Sequence, residues 1–281
     1  MRLSLFIFFF IISTSCIYGQ DHTEEYTKPS NKGKIYGFYG WNRGWYTNSD
    51  IHFQGNDYDF ILKDVKATDR QTPFNFNTYF NPTTISIPQT GYRIGYFITD
   101  KIDVSIGVDH MKYVMIQEQS VEITGSIENE TLYHGKYNND DISLTQAFLK
   151  FEHTDGLNYL NAEVTLNEDL LTALKLKVNS DKIQLDYLIG FGVGTMMPKS
   201  NVTLMNNSRN DEFHFAGYAF AFKSGLNLTL YKYLFFRSEL KGGFTHLTDI
   251  RTTPSETDRA RQFFFFGQLN VSIGFSINPF N

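Results

Sequence analysis

The chain has 281 residues, with 25 Lys+Arg against 30 Asp+Glu, a single Cys, and 16% aromatics, of which 27 are Phe and 17 Tyr. One Cys excludes a disulfide framework and a cysteine-based metal site, and a formal charge of −5 without a basic patch argues against a nucleic-acid binder. The aromatic load is too high for a disordered chain, and the length fits one large all-β barrel as well as two small domains.

Met1-Arg2 is a short positive start, residues 3–12 are an apolar run, and Ile17-Tyr18-Gly19 ends on a small residue. This pattern reads as a secretory signal over residues 1–19, with the mature chain starting at Gln20. A lipoprotein signal cut before Cys16 is disfavoured, because Ser13 stands where such signals need a branched apolar residue. Residues 20–33 are read as a periplasmic N-terminal segment. Beyond residue 20 no apolar stretch reaches the ~18 residues of a membrane helix. An exported chain of this kind is either soluble or a membrane β-barrel, whose strands need no continuous apolar run.

Strand one is predicted over 34–46, followed by a long connection over 47–88. Strand two (89–98) leads through a tight turn at 99–101 into strand three (102–117), and a loop then runs to 141. Strand four (142–153), a turn at 154–156, strand five (157–166), a loop at 167–170 and strand six (171–178) come next. A turn at 179–182 precedes strand seven (183–196), and a loop runs to 211. Strand eight (212–230), a turn at 231–233, strand nine (234–246), a loop to 261 and strand ten (262–277) complete the chain.

Ile102-Asp-Val-Ser-Ile-Gly-Val-Asp109 and Leu269-Asn-Val-Ser-Ile-Gly-Phe-Ser-Ile277 alternate with a period of two, which is the signature of a strand with unlike faces. The polar face mixes Gly, Ser and Asn with isolated charges, which a packed core would not accept. The apolar face is therefore assigned to lipid and the polar face to an interior. Alternate connections are short and long, as in barrels with an even strand number, short periplasmic turns and both termini in the periplasm. The predicted fold class is all-β: a closed antiparallel transmembrane β-barrel over 34–281 of about ten strands, or eight if strands five and six do not span. Aromatics at 36, 38, 39, 41, 45 and 46, at 231, 233, 235 and 236, and at 263–266 fit membrane-interface girdles.

The last strand ends Phe275-Ser-Ile-Asn-Pro-Phe280-Asn281. It is similar to the C-terminal signal of outer-membrane barrel proteins, an amphipathic strand finishing near an aromatic, here interrupted by Pro279 and followed by Asn281. The mature chain as a whole resembles small outer-membrane β-barrel proteins. Within that class, Tyr39-Gly-Trp-Asn-Arg-Gly-Trp-Tyr46 followed by Ser49-Asp-Ile-His-Phe53 resembles an uncharacterised barrel family of Bacteroidetes-type bacteria. The resemblance implies a fold and residence in the bacterial outer membrane, and brings no established activity. The partners it implies are outer-membrane lipid, lipopolysaccharide and, during insertion, the barrel assembly machinery. Lys112 is a candidate contact for a lipopolysaccharide phosphate.

Strand parity assigns to the lumen Arg93, Asp103, Asp109, Lys150, Glu152, Glu163, Lys175, Lys177, Asp186, Lys223, Arg237, Glu239 and Lys241. Near-equal numbers of each sign predict a narrow lumen closed by ion pairs. A conduit would carry one sign in excess at its constriction. At the rim, His52, His110, His214 and His246 each lie within three residues of a carboxylate: Asp50, Asp109, Asp211 and Asp249 respectively. His134 lies near Asp140 and Asp141. A carboxylate that orients a His is the core of general-base chemistry, but Ser49, Ser208 and Ser255 sit in no nucleophile-elbow motif. No ligand spacing supports a metal, and no cofactor is expected. The connection 47–88 holds an alternating piece at 57–62 and an aromatic, proline-flanked piece at 73–82. It is expected to pack over the barrel mouth, with an extracellular ligand surface or a plug as the alternative. The expected role is structural or surface-binding, which weighs against an enzyme. The alternatives are a surface hydrolase acting on lipid A or peptides through a rim Asp–His pair, and a narrow transporter of a small solute.

Overall fold

The computed structural model describes residues 28–279 apart from 82, 84–87, 177, 206 and 208–211. The signal read over 1–19, Cys16, Lys177, Ser208, Asp211 and the terminal Phe280-Asn281 lie outside the described residues. In chain order the strands are β1 (Ile35–Tyr46), β2 (Ser49–Gln54), β3 (Tyr58–Val65), β4 (Ala67–Thr68), β5 (Thr90–Phe97), β6 (Ile102–Met115), β7 (Ser120–Ile127), β8 (Gly135–Ser143) and β9 (Leu149–Asp169). They continue with β10 (Ile183–Pro198), β11 (Asn201–Leu204), β12 (Gly217–Leu230), β13 (Leu234–Arg251) and β14 (Arg259–Ile277). Two short helices, α1 (Phe76–Phe80) and α2 (Leu170–Ala173), interrupt the series.

Eight strands pair antiparallel in the order β1-β5-β6-β9-β10-β12-β13-β14, and β14 returns to β1 with Ile35 opposite Ile277 and Tyr46 opposite Phe266. The sheet therefore closes on itself and leaves no edge in the ring. The alternation read from the sequence sets the two faces. Asp103, Ser105 and Asp109 of β6 point inward and are buried, while Ile106 between them is 68% exposed on the outer wall. Val271 and Ile273 of β14 likewise face out. The aromatic run 263–266 splits by parity, with Phe263 and Phe265 outside and Phe264 and Phe266 buried.

The ring holds eight strands, the smaller of the two predicted counts, for two local reasons. Residues 154–156 do not reverse the chain. Met111 pairs with Leu157 and Tyr113 with His153, so Thr154-Asp155-Gly156 bulges out of a continuous β9 opposite Lys112, with Gly156 at φ +132°. The predicted strands four and five are thus joined, and part of strand four (142–143) belongs to β8. Predicted strand six is replaced by α2, because the Asp169 carboxylate accepts from the backbone N–H groups of Leu171 and Thr172 and caps a helical turn.

Both described chain ends and the connections 98–101, 170–182 and 231–233 lie at one end of the ring. At the other end the strands extend into a second sheet. β14 passes beyond β1 and pairs with β2, which continues through β3 and β7 to β8. β4 adds to β6, and β11 to β9. This sheet gathers a core of Ile51, Phe53, Phe60, Leu62, Ile123, Phe148 and Phe151 over the barrel mouth, with the Phe53 and Phe60 rings stacked at 5.2 Å. The alternating piece 57–62 supplies much of β3, which places that part of the first long connection over the mouth as expected, while α1 sets Tyr79 and Phe80 against Trp41 of β1. Each such buried side chain contributes about 1.5–3 kcal/mol.

A charge-filled lumen and its rim as the candidate functional site

Below the apolar cap the lumen is ionic. Glu163 of β9 is the hub: Arg93 of β5 approaches it at 2.9 Å, Lys223 of β12 at 2.7 Å and Lys241 of β13 at 2.7 Å. Lys241 also meets Asp109 at 2.7 Å, and Lys223 meets Glu239 at 2.9 Å. Asn161 accepts from the Arg93 guanidinium at 2.7 Å and donates to Asp109 at 3.1 Å, tying the two halves together. Arg237 lies 5.2 Å from the ring centroids of Tyr36, Phe38 and Phe235 and donates to Asn227 Oδ1. Tyr36 and Asn167 both donate to Asp103, at 2.6 and 2.7 Å. Lys28 of the N-terminal segment reaches Asp186 from below.

Such pairs hold only because every charge finds partners; a lone charge in this place would be costly. Two internal voids, about 20 Å³ beside Asp186 and Arg237 and about 10 Å³ beside Asp109 and Glu239, are each about one water in size.

Sequence parity placed Arg93, Asp103, Asp109, Glu163, Asp186, Lys223, Arg237, Glu239 and Lys241 in this lumen, and all are buried there. Lys150 and Glu152 were read as part of the same network and are not. Glu152 sits higher, buried under the cap, and takes Lys150 at 2.9 Å, Arg70 at 3.0 Å and Asn201 at 2.8 Å. Lys175 lies off the barrel after α2, exposed, because the predicted strand six does not form.

The rim histidines are paired, with other partners than sequence proximity suggested. Asp109 points into the lumen, whereas the neighbouring His110 faces outward and bonds Asn158 at 2.8 Å. His52 meets Asp59 at 2.6 Å across the β2–β3 hairpin, and Asp50 goes instead to Lys63 at 2.7 Å. His214 meets Asp249 at 2.8 Å, which leaves His246 against the Tyr218 hydroxyl at 3.1 Å. The bond from His52, more than any other contact, holds the Asp59 carboxyl below its ordinary range. A buried His153–Ser200 contact at 2.9 Å went unread in the sequence, and among the described residues no acid completes it. Neither His52 nor His214 lines the two large surface cavities.

The N-terminal segment is latched by Asp100 in the turn between β5 and β6. Its carboxylate accepts from the Ser30 hydroxyl at 2.5 Å and from the backbone N–H groups of Asn31 and Lys32 at 2.9 and 3.0 Å. These bonds, Ser30 first, hold the Asp100 carboxyl below the usual carboxylate range. A depressed carboxyl stabilises the latch above the unfolded value of ~3.9 and loses that contribution as pH falls through the folded value. Asp100→Asn is therefore expected to speed hydrogen exchange of the Asn31 and Lys32 amides at neutral pH. In the wild type the same increase should come only in strong acid. An exchange rate unchanged by the substitution would show that the carboxylate does not hold the segment.

The outer wall carries two concavities, about 590 Å³ against β5, β6, β9 and β10 and about 880 Å³ nearer the cap. No protein family and no curated protein matches the chain. Among solved structures it is similar to the outer membrane protein OprG from Pseudomonas aeruginosa (TM-score 0.36, 12% identity, covering 88% of this chain and 97% of OprG). It is also similar to the N-terminal β-barrel domain of Pseudomonas aeruginosa OprF (TM-score 0.33, 10% identity, covering 88% and 98%). A third likeness is to the attachment invasion locus protein Ail of Yersinia pestis (TM-score 0.32, 9% identity, covering 88% and 99%). By its own strand pairing, the chain is a closed antiparallel barrel of eight strands around a charged interior.

Proposed function

We propose that this is an outer-membrane β-barrel protein with a structural or surface-binding role and a lumen that does not conduct. The outward rows of Ile, Val, Leu and Phe support the membrane reading, since a closed ring with an apolar outer wall and a polar interior suits a bilayer and no aqueous fold. Both chain ends then lie in the periplasm and the apolar cap outside the cell. Insertion by the barrel assembly machinery and kinship with the Bacteroidetes-type family belong to the same reading. Phe74 and Phe76 before and within α1, 74% and 72% exposed, make the first connection the candidate surface for an extracellular ligand.

The observation that carries the closed lumen is the cluster of Arg93, Lys223 and Lys241 around Glu163, under the aromatic cap. Purified barrel added to planar bilayers is expected to give no discrete conductance steps. Regular unitary openings would overturn the closed lumen and favour a transporter. A second reading, a surface hydrolase, rests on the His214–Asp249 pair, a His nitrogen within hydrogen-bond reach of a carboxylate. Incubation with lipid A or peptide should leave substrate masses unchanged; a loss that vanishes in His214→Ala would establish that reading instead.

A further inference from the structure

The barrel ring has no edge, but the cap sheet does. It runs from β14 through β2, β3 and β7 and stops at β8, which pairs with β7 alone. β8 is nine residues long and none of them is buried. β4 and β11 also pair on one side only, but they have two and four residues. The direction of the β8 backbone follows from the residue after it. The Leu144 N–H donates to the carbonyl of Gln119, just before β7, at 2.9 Å. Alternation then turns the Ile142 and Asp140 amides toward β7 and leaves the N–H and C=O of Asp141 on the open side. The same phase makes Glu122 and Asp141, opposite one another in register, a non-hydrogen-bonded pair, the closer kind, with Cα atoms about 4.5 Å apart. Two carboxylates so placed repel, and neither makes a hydrogen bond or an ion pair among the described residues. Residues 118–143 as a whole hold Glu118, Glu122, Glu128, Glu130, Asp140 and Asp141 against Lys136. The other face of the strand is anchored, since Tyr137 and Ile142 pack on the cap core. The bulge at Asn139 (φ +59°) is tied to β7 by Thr124, whose Oγ1 donates to Asn139 Oδ1 at 2.9 Å and accepts from the Asn139 N–H at 3.2 Å.

We infer that β8 takes an extended cationic segment of another protein as an added strand, bonded through the backbone of Asp141, with Lys or Arg side chains on the face of Glu122 and Asp141. At a sheet edge the main-chain bonds give affinity and alternate side chains give the choice of partner. Charge makes that choice here. A second copy of the chain brings an equally acidic hairpin and is repelled, which is how charged and bulged edges avoid pairing with their own kind. A basic strand instead relieves the Glu122–Asp141 repulsion, so the same carboxylates reject one partner and admit the other. The inference names a partner class for the surface-binding role proposed above and rests on that reading for the cap facing outward. The open edge itself is independent of any membrane.

The test is fluorescence anisotropy of a labelled peptide of about ten residues, Lys and Thr alternating, titrated with the full mature chain folded in a neutral detergent. Saturable binding of one peptide per barrel is expected, and a Glu-Thr peptide of the same length should not bind. Methylating the Lys backbone nitrogens, which face β8 when Lys stands opposite Asp141, keeps every charge and removes the ladder donors, so it should abolish binding. Glu122→Gln/Asp141→Asn is expected to weaken binding about fivefold. Asp141→Pro removes the outward N–H without touching the β7 ladder and should weaken it further than Asp141→Asn. Glu168→Gln/Asp181→Asn makes the same change of charge at the opposite end of the ring and should leave binding unchanged. Heat-modifiable mobility reads the folding of each variant, and the peptide controls on wild type decide the matter if a variant does not fold. Equal binding of the methylated and unmethylated peptides overturns the inference, as does equal binding by wild type and folded Glu122→Gln/Asp141→Asn. A peptide-free dimer that Asp141→Pro dissociates overturns it too, in favour of a second copy. A folded barrel that ignores the peptide defeats this inference alone. A chain that stays dissolved without detergent defeats the membrane reading, and the same titration then decides the edge in water.

Discussion

Glu163→Ala is expected to cost about 3–5 kcal/mol of unfolding free energy, the usual effect of removing one partner from a buried ion cluster. Glu163 stands among three cations, Arg93, Lys223 and Lys241, all within 2.9 Å. Each of those cationic side chains is at most 2% exposed. Deleting the carboxylate leaves like charges facing one another where water cannot screen them, and only Asp109 and Glu239 remain to share them. Glu163→Gln keeps the shape and still loses the charge, so it should retain only a small part of the stability. Asp59→Asn at the solvated β2–β3 hairpin breaks an exposed pair and should cost at most about 1 kcal/mol. Urea unfolding of the detergent-solubilised barrel, followed by tryptophan fluorescence, distinguishes the two. A loss below about 1 kcal/mol for Glu163→Ala would mean that the lumen is hydrated and that its charges are screened individually.

Which residues enter that cluster was legible in the sequence; how they pair was not. A period of two assigns a face to every residue of a strand, so Arg93, Glu163, Lys223, Glu239 and Lys241 could be sent inward by counting alone. Their partners depend on which strands face each other across the ring. Lys241 and Asp109 lie 132 positions apart, on β13 and β6, and meet through the lumen. The same rule explains the error over His110. Adjacent residues of a strand point to opposite sides, so Asp109 and His110 cannot pair, whereas cross-strand neighbours such as His52 and Asp59 can. Thr154-Asp155-Gly156 was misread because Asp and Gly serve a bulge as well as a turn, and what separates the two is whether the flanking residues keep pairing with β6. Residues 171–178 alternate like a strand, but the Asp169 cap, visible only as a carboxylate before two backbone amides, starts a helix instead. The hollow on the outer wall needed the register across β5, β6, β9 and β10, which no single strand contains.

Leu240→Lys is expected to separate a bilayer from water as the surroundings of the outer wall. Leu240 lies midway along β13, opposite Leu269 of β14, and is 62% exposed. On a water-soluble barrel an exposed Leu replaced by Lys changes stability by within about 0.5 kcal/mol, because nothing packed is lost and the charge is hydrated. In a bilayer the same ammonium sits near the hydrocarbon midplane, where a lumen-directed escape is closed by the strand's own parity and snorkelling must span half the apolar belt. The cost there is about 2–4 kcal/mol. Arg237→Met, on the inner face of the same strand, should be destabilising in both settings, since it takes the donor from Asn227 Oδ1, the cation 4.0 Å from Glu239 and the charge held among the rings of Tyr36, Phe38 and Phe235. It therefore controls for any general fragility of β13. Folding into liposomes, scored by the fraction with the heat-modifiable band at equilibrium in urea, measures both variants against wild type. If Leu240→Lys folds as well as wild type while Arg237→Met does not, hydrocarbon does not surround these rows, and the outer-membrane residence proposed for the barrel fails with it.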